Sequence, residues 1–128
     1  MPIMFEPPAT AAKIVIVGAG AMGSIYAGFF AEAGHSVAVV DIWAEHISAI
    51  ARAGLRLEGA SGDRVVQGIG AFGTVEEAGP GDLFVIATKA NGVGQAAASI
   101  AKVITPKSLV LTIQNLSLIH ISEPTRRS

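Results

Sequence analysis

A glycine-punctuated junction between a strand and a helix constrains this chain more than any other feature. Ile14-Val15-Ile16-Val17 is an unbroken apolar run, and Gly18, Gly20 and Gly23 follow it at G-x-G-x-x-G spacing. Met22, Ile25, Tyr26, Phe29, Phe30 and Ala33 then recur at i, i+3, i+4, i+7, i+8 and i+11, the stripe of a helix packing on a sheet. Gly34 ends that helix. A second apolar run, Ser36 to Val40, closes on Asp41, eighteen positions after Gly23. Each glycine has its own reason. Gly18 permits a tight turn out of the strand, Gly20 lets another group approach the backbone, and Gly23 lets the helix lie close on the strand. The amides around Ala19, Ala21 and Met22 open the helix, where unpaired N–H groups and the helix dipole attract an anion.

A bare G-x-G-x-x-G is common in small-residue loops. Here the flanking strand, helix, second strand and terminal acid stand where a dinucleotide-binding unit needs them. On that reading the Ala19–Met22 amides receive a pyrophosphate, and Asp41 accepts hydrogen bonds from the adenosine ribose. The alternative is a structural strand-turn-helix with no ligand.

The rest of the chain extends the alternation. Trp43, Ile47 and Ile50 mark a second helix ending near Gly54. Leu55 and Leu57, then Val65, Val66 and Ile69, bracket a turn-rich Gly59-Ala60-Ser61-Gly62-Asp63, predicting a β-hairpin. A short acidic helical turn is predicted at Val75 to Ala78 and a buried strand at Leu83 to Ala87. Val93, Ala97, Ile100 and Ile104 suggest another helix, broken by Pro106, and Leu109 to Ile113 the next strand. Strands alternating with helices predict an α/β fold, Rossmann-like and doubly wound, with a mainly parallel sheet. Ligands of such sheets sit outside the carboxyl ends of the strands. That rule singles out Asp41, Thr88-Lys89 and Gln114-Asn115. The same positions suit a solvated loop lysine at 89 and a turn asparagine at 115. His35 and His46 have no metal-spaced partner and read as structural or solvated.

Composition narrows the function classes. The chain has 128 residues, 51% hydrophobic and 15% charged, enough for one core. A net charge of −1 gives no electrostatic case for nucleic acid or an anionic membrane. The absence of cysteine excludes disulfides and thiolate metal sites, and fits a cytoplasmic protein. Mean hydropathy is high at +0.55, yet no apolar run approaches the roughly 18 residues needed to span a bilayer. Residues 1–12 lack a basic n-region and read as a flexible arm rather than a secretory signal.

Gly18-Ala19-Gly20-Ala21-Met22-Gly23-Ser24, Ala33-Gly34-His35, Thr88-Lys89 and Leu111-Thr112-Ile113-Gln114-Asn115, in that order, resemble the ketopantoate reductase family. Its members, 2-dehydropantoate 2-reductases of pantothenate biosynthesis, reduce a branched 2-keto acid with NAD(P)H. The resemblance covers about Lys13 to Asn115, the family's N-terminal domain. It implies that Gly18, Gly20 and Gly23 form the pyrophosphate loop, that Lys89 borders cofactor and substrate, and that Asn115 contacts the nicotinamide end and the substrate. It implies a small-molecule 2-keto acid as partner and admits a homodimer of the intact enzyme. Family members often prefer NADPH and carry a basic residue after the second strand. Asp41-Ile42-Trp43 stands here instead. A carboxylate at that point repels a 2′-phosphate, so NADH is the favoured cofactor.

A second departure follows Asn115. The family continues with Gly, an apolar residue and Gly, then a long helical domain that carries the catalytic lysine and a substrate-holding glutamate. Leu116-Ser117-Leu118-Ile119-His120-Ile121-Ser122-Glu123-Pro124-Thr125-Arg126 stands here, and it resembles a translated transposase-type sequencing adapter. Residues 13–115 are therefore expected to form the dinucleotide-binding domain and 116–128 a non-native tail without a stable fold of its own. The helical domain is expected to be absent, no catalytic residue is expected on this chain, and the fragment is expected to be inactive. A non-catalytic nucleotide sensor is the competing reading. It leaves Lys89 and Asn115 at the crevice unexplained. A flavoprotein start usually has Glu at the ribose position and explains neither Thr88-Lys89 nor Gln114-Asn115.

Overall fold

The computed structural model describes residues 12–57 and 62–113. The expected arm up to Ala11, the tip of the predicted hairpin, Gln114-Asn115 and the expected tail lie outside the described residues. Five parallel strands form the main sheet: β1 (Lys13–Val17), β2 (Ser36–Val40), β5 (Gly70–Phe72), β6 (Leu83–Ile86) and β7 (Leu109–Thr112). Their order is β5-β2-β1-β6-β7. Two shorter strands, β3 (Leu55–Leu57) and β4 (Arg64–Val66), pair antiparallel as the predicted hairpin, with Arg56 opposite Val65. Helices α1 (Ala21–Glu32), α2 (Ala44–Ala53), α3 (Val75–Ala78) and α4 (Val93–Ala101) connect the strands.

The near-continuous Val/Ile runs of β1 and β2 are explained by burial on both faces, the condition of parallel strands with helices on either side. Ile14, Ile16, Val37, Val39 and Val85 join the core under α1, α2 and the hairpin. The alternate residues Val15, Val17, Ala38, Val40, Phe84 and Ile86 join the opposite core, under α3 and α4. Val15 stands in register with Ala38 on one side and Phe84 on the other. Phe84 has no exposed surface, and its full burial contributes roughly 2–3 kcal/mol.

Two helix faces differ from the predicted stripes. In α1, Met22, Ile25 and Phe29 are 46, 39 and 46% exposed, while Gly23, Ala27 and Gly28 are buried. Tyr26 and Phe30 flank the core, as the periodicity predicted. The helix lies too close to the sheet for a large side chain on its inner line. A Cβ at Gly23 would stand 2.0 Å from the Gly18 carbonyl oxygen, and one at Gly28 would stand 2.6 Å from Leu57 of the hairpin. Apolar residues surround this helix, so periodicity located the stripe by side-chain size and not by burial. In α4 the buried positions are Ala96 and Ile100, with Val93 and Val103 packed beside them. Ala97 is exposed within the helix, and Ile104, 43% exposed, lies past its end at Ala101, well before Pro106.

The hairpin is tied to α1 by the exposed Arg64–Glu32 ion pair, in which Arg64 Nη2 donates to Glu32 Oε1 at 2.9 Å. The Arg64 guanidinium also stands 5.9 Å from the centre of the Phe29 ring. That arginine holds the Glu32 carboxyl below the usual carboxylate range. At the amino ends of the strands, Lys13 N donates to Asp82 Oδ2 at 2.8 Å and Lys13 Nζ to the Ala78 carbonyl at 2.6 Å. Ser108 Oγ donates to the Gly81 carbonyl at 2.7 Å. Gly23→Ala is expected to destabilise the domain by about 3 kcal/mol, since the Gly18 backbone cannot yield to the new methyl. Met22→Gln, one position away on the exposed side, should cost under about 1 kcal/mol. Urea denaturation of the two variants checks the contrast.

Candidate functional site: the cleft at the carboxyl ends of the strands

The strand order reverses between β1 and β6: the chain leaves β1 for β2 and β5 on one side, then crosses back through α3 to β6 and β7 on the other. The crevice between β1 and β6 is therefore the place where a ligand can enter such a sheet. Gly18 makes the turn there. Its φ is +108°, its N–H donates to the Val40 carbonyl at 2.8 Å, and a Cβ would stand 2.9 Å from the Ala87 backbone carbonyl carbon. Gly18 and Gly23 are thus required by the chain's own packing. Gly20 is not. It is exposed, and a Cβ there would meet no atom of the described residues within 4 Å. The fold alone does not demand a glycine at 20, whereas a ligand lying on that backbone would.

Gly20 is also the N-cap of α1. No side chain caps the helix there, and no acid occupies its first turn. The amides of Ala21, Met22 and Gly23 belong to that turn, for which a helix supplies no internal acceptor. The neighbouring Ala19 amide differs from the sequence-based picture. It already donates to Asp41 Oδ2 at 2.8 Å, and Asp41 Oδ1 accepts from Trp43 N at 3.0 Å. Each carboxylate oxygen retains a further lone pair for a ligand hydroxyl.

Two residues not foreseen as part of the site complete the support of Ala19. Its carbonyl accepts from Ser24 Oγ at 3.0 Å and lies 2.8 Å from His46 Nε2. A carbonyl only accepts, so this contact requires a proton on His46 Nε2. His46 sits 5.7 Å from Trp43, ring centre to ring centre. It is structural, as the sequence suggested, but buttresses the glycine loop. His35 lies elsewhere: its Nδ1 accepts from Ala12 N at 3.0 Å, and it meets Phe30 edge-on.

The cleft has a volume of about 630 Å³. Gly18, Gly20, Asp41 and Lys89 line it, so four of the expected site residues converge there. Asn115 lies outside the described residues. The opposite wall comes from segments the sequence had not assigned to the site: Gly73 to Glu76 after β5, and Gln95 and Ser99 on α4. A signal for the first was present in Thr74-Val75-Glu76-Glu77. It is a capping box, with Thr74 Oγ1 accepting from Glu77 N at 3.1 Å and Glu77 Oε1 from Thr74 N at 3.2 Å. The strand before it, β5, was not foreseen. Gly-Ala-Phe is too short and mixed to alternate, and its place is fixed by pairing with Ala38 to Val40.

Thr88 follows β6 beside Lys89. Its Oγ1 is buried without a hydrogen-bond partner among the described residues. Gly92 closes over it, in a 3-10 turn (Ala90–Gly92) where a Cβ would stand 3.2 Å from that oxygen. Among the described residues no cluster of His, Asp and Glu could hold a metal ion, and no helix is long and apolar enough to cross a membrane.

The comparisons with known proteins agree with this geometry. Residues 14–118 match the family model for ketopantoate reductase PanE/ApbA. The chain belongs to the ketopantoate reductase family. It is 41% identical over 103 residues to a 2-dehydropantoate 2-reductase of Pyrococcus abyssi, covering 80% of this chain and 33% of that protein. It is similar in structure to a PanE/ApbA family ketopantoate reductase from Ralstonia eutropha JMP134, with a TM-score of 0.73 and 36% identity over 80% of this chain and 34% of that one. It is also similar to D-mandelate dehydrogenase in a ternary structure with NADH and anilino(oxo)acetate, with a TM-score of 0.70 and 30% identity over 84% of this chain and 36% of that one. The chain thus spans about a third of the length of these relatives.

Thr88→Val removes the unpaired hydroxyl and keeps the shape. It is expected to raise the stability of the ligand-free chain by about 1 kcal/mol, read as a higher urea midpoint at unchanged slope. A lower midpoint would mean that the hydroxyl has a bound partner.

Proposed function

We propose that this chain is the dinucleotide-binding part of an NAD(P)H-dependent 2-keto acid reductase of the 2-dehydropantoate 2-reductase type. The observation that carries the reading is Gly20: it is a glycine whose missing Cβ none of the described residues uses, at a helix N-terminus inside the cleft that none of their side chains caps. The first-turn amides of α1 would hold the pyrophosphate across Gly20. Asp41, held by the Ala19 and Trp43 amides, would receive the ribose hydroxyls. Lys89, which follows β6 and lines the cleft, would offer its ammonium group to the substrate, and Asn115 is assigned there by the family resemblance. A reduced nicotinamide supplies the hydride in this chemistry. The proton must come from an acid within hydrogen-bond reach of the developing alkoxide. By the same resemblance that acid belongs to the helical domain, so the 128-residue chain binds cofactor without turning over 2-keto acid.

Asp41 sets the choice of cofactor. A 2′-phosphate beside a carboxylate is disfavoured by on the order of 1 kcal/mol at a partly exposed site, which is about fivefold in affinity. NADH is therefore expected to bind more tightly than NADPH. Asp41→Ser should raise the NADPH-to-NADH affinity ratio at least fivefold, although it also releases the Ala19 amide and lowers both affinities. Fluorescence titration of both dinucleotides checks the ratio, and tighter NADPH binding by the wild type would refute the assignment.

A steady-state assay with ketopantoate and NADH tests the second half of the proposal. No turnover above background is expected from residues 1–128. A rate matching that of a full-length reductase would show that the fragment contains its own acid.

A further inference from the structure

Two helices meet at the Ala19 carbonyl. Ser24 Oγ reaches it from α1 at 3.0 Å, and His46 Nε2 reaches it from α2 at 2.8 Å. The second contact closes a circuit. Asp41 accepts from the Ala19 and Trp43 amides, the Trp43 ring stands 5.7 Å from the His46 ring, and His46 returns to Ala19. The seat of α2 does not depend on this circuit, since Ile50 is buried in the core and Ile47 packs beside it. What the circuit fixes is the plane of a single peptide. The described residues have no cis peptide bond, so the Ala19 C=O and the Gly20 N–H point in opposite directions. Holding the carbonyl toward Ser24 and His46 turns the Gly20 N–H the other way. That N–H has no acceptor among the described residues, and Gly20 lines the cleft.

Gly20 is also the residue most able to spoil this arrangement. It stands at φ −74° and ψ −164°. Rotating the Ala19–Gly20 peptide by half a turn carries that φ into the positive region, which glycine enters without steric cost. The rotated peptide presents the Ala19 carbonyl where the N–H had been, an acceptor set against an anion. The missing side chain that lets a phosphate approach therefore also lets the loop turn its wrong side outward. We propose, resting on the dinucleotide reading, that His46 is a positioning residue which, with Ser24, locks this peptide so that the Gly20 N–H faces the pyrophosphate of the ligand. Rotation would strip both donors of the carbonyl they share. Each such hydrogen bond biases the peptide toward the binding orientation by about fivefold.

The test uses the 128-residue chain with ADP as the probe, followed by NMR at the Gly20 amide. In the wild type the Gly20 amide proton is expected to move downfield as ADP saturates the site, as an N–H donating to an anion does. His46→Leu keeps a good helix former and loses the donor. It is expected to weaken ADP binding about fivefold. His46→Gln, whose amide can donate to the same carbonyl, should stay within about twofold of the wild type. Ser24→Ala favours its helix and should weaken ADP about threefold, so it decides the matter should His46→Leu fail to fold. Thermal unfolding of each variant is measured alongside. An unchanged ADP affinity in a folded His46→Leu would overturn the proposal and leave the dinucleotide reading standing. So would a His46→Gln as weak as His46→Leu, which would assign His46 to packing alone, or a Gly20 amide that does not move with ADP. If His46→Leu does not fold, an unchanged affinity in Ser24→Ala overturns it. A folded wild type that binds neither ADP nor NADH would overturn both.

Discussion

The contact between the α1 backbone and the turn that leaves β1 governs this fold. Gly23 lies against the Gly18 carbonyl at a distance that admits no side chain, and Gly18 in turn touches the carboxyl end of β6. That contact sets how deeply α1 settles on the sheet. The depth then decides the remainder: small residues on the inner line, Tyr26 and Phe30 at its margins, and Leu57 of the hairpin seated on Gly28. It also aims the first turn of α1 across the crevice, so a packing requirement and a binding geometry have one cause.

The two ends of the sheet are treated differently. At the amino ends, side chains of Lys13, Asp82 and Ser108 hydrogen-bond the backbone of neighbouring segments and close the turns. At the carboxyl ends, the glycine loop is held by Asp41, Ser24 and His46, and that support converges on the single residue Ala19. Fixing Ala19 orients the first-turn amides of α1, to which none of these three side chains bonds. This is preorganisation: the ordering cost of the loop is met in the free protein rather than at binding.

Much of this was legible in the sequence, for physical reasons that can be named. Unbroken Val/Ile runs can only be strands buried on both faces, and the glycine spacing admits few turns, so β1, α1, β2 and Asp41 were readable from residues alone. The hairpin was marked by turn chemistry, and α3 by a short acidic stretch at Val75 to Ala78. The buried faces of α1 and α4 were not legible. In α1 the residues nearest the sheet are glycine and alanine, which carry little hydrophobic signal, while the larger Met22 and Phe29 face outward. β5 was invisible because three residues show no period, and the α3–α4 wall because polar side chains on a short helix read as a solvated face. These are failures of a rule that equates size with burial, at places where close approach matters more than area.

The position of β1 in the middle of the sheet carries a consequence for how the protein comes to be folded. Its residues are among the first described, yet Lys13 meets its partner Asp82 across a separation of 69 residues. Until β6 has been synthesised, one edge of β1 has nothing to pair with, and its apolar residues lack half of their cover. Pairings at such separation must overcome loop-closure entropy before they return any contact energy, which slows the search and prolongs exposure of unpaired edges. On the ribosome the glycine loop and α1 therefore emerge well before the sheet that gives them their shape, and the ligand crevice cannot form until β6 has joined it.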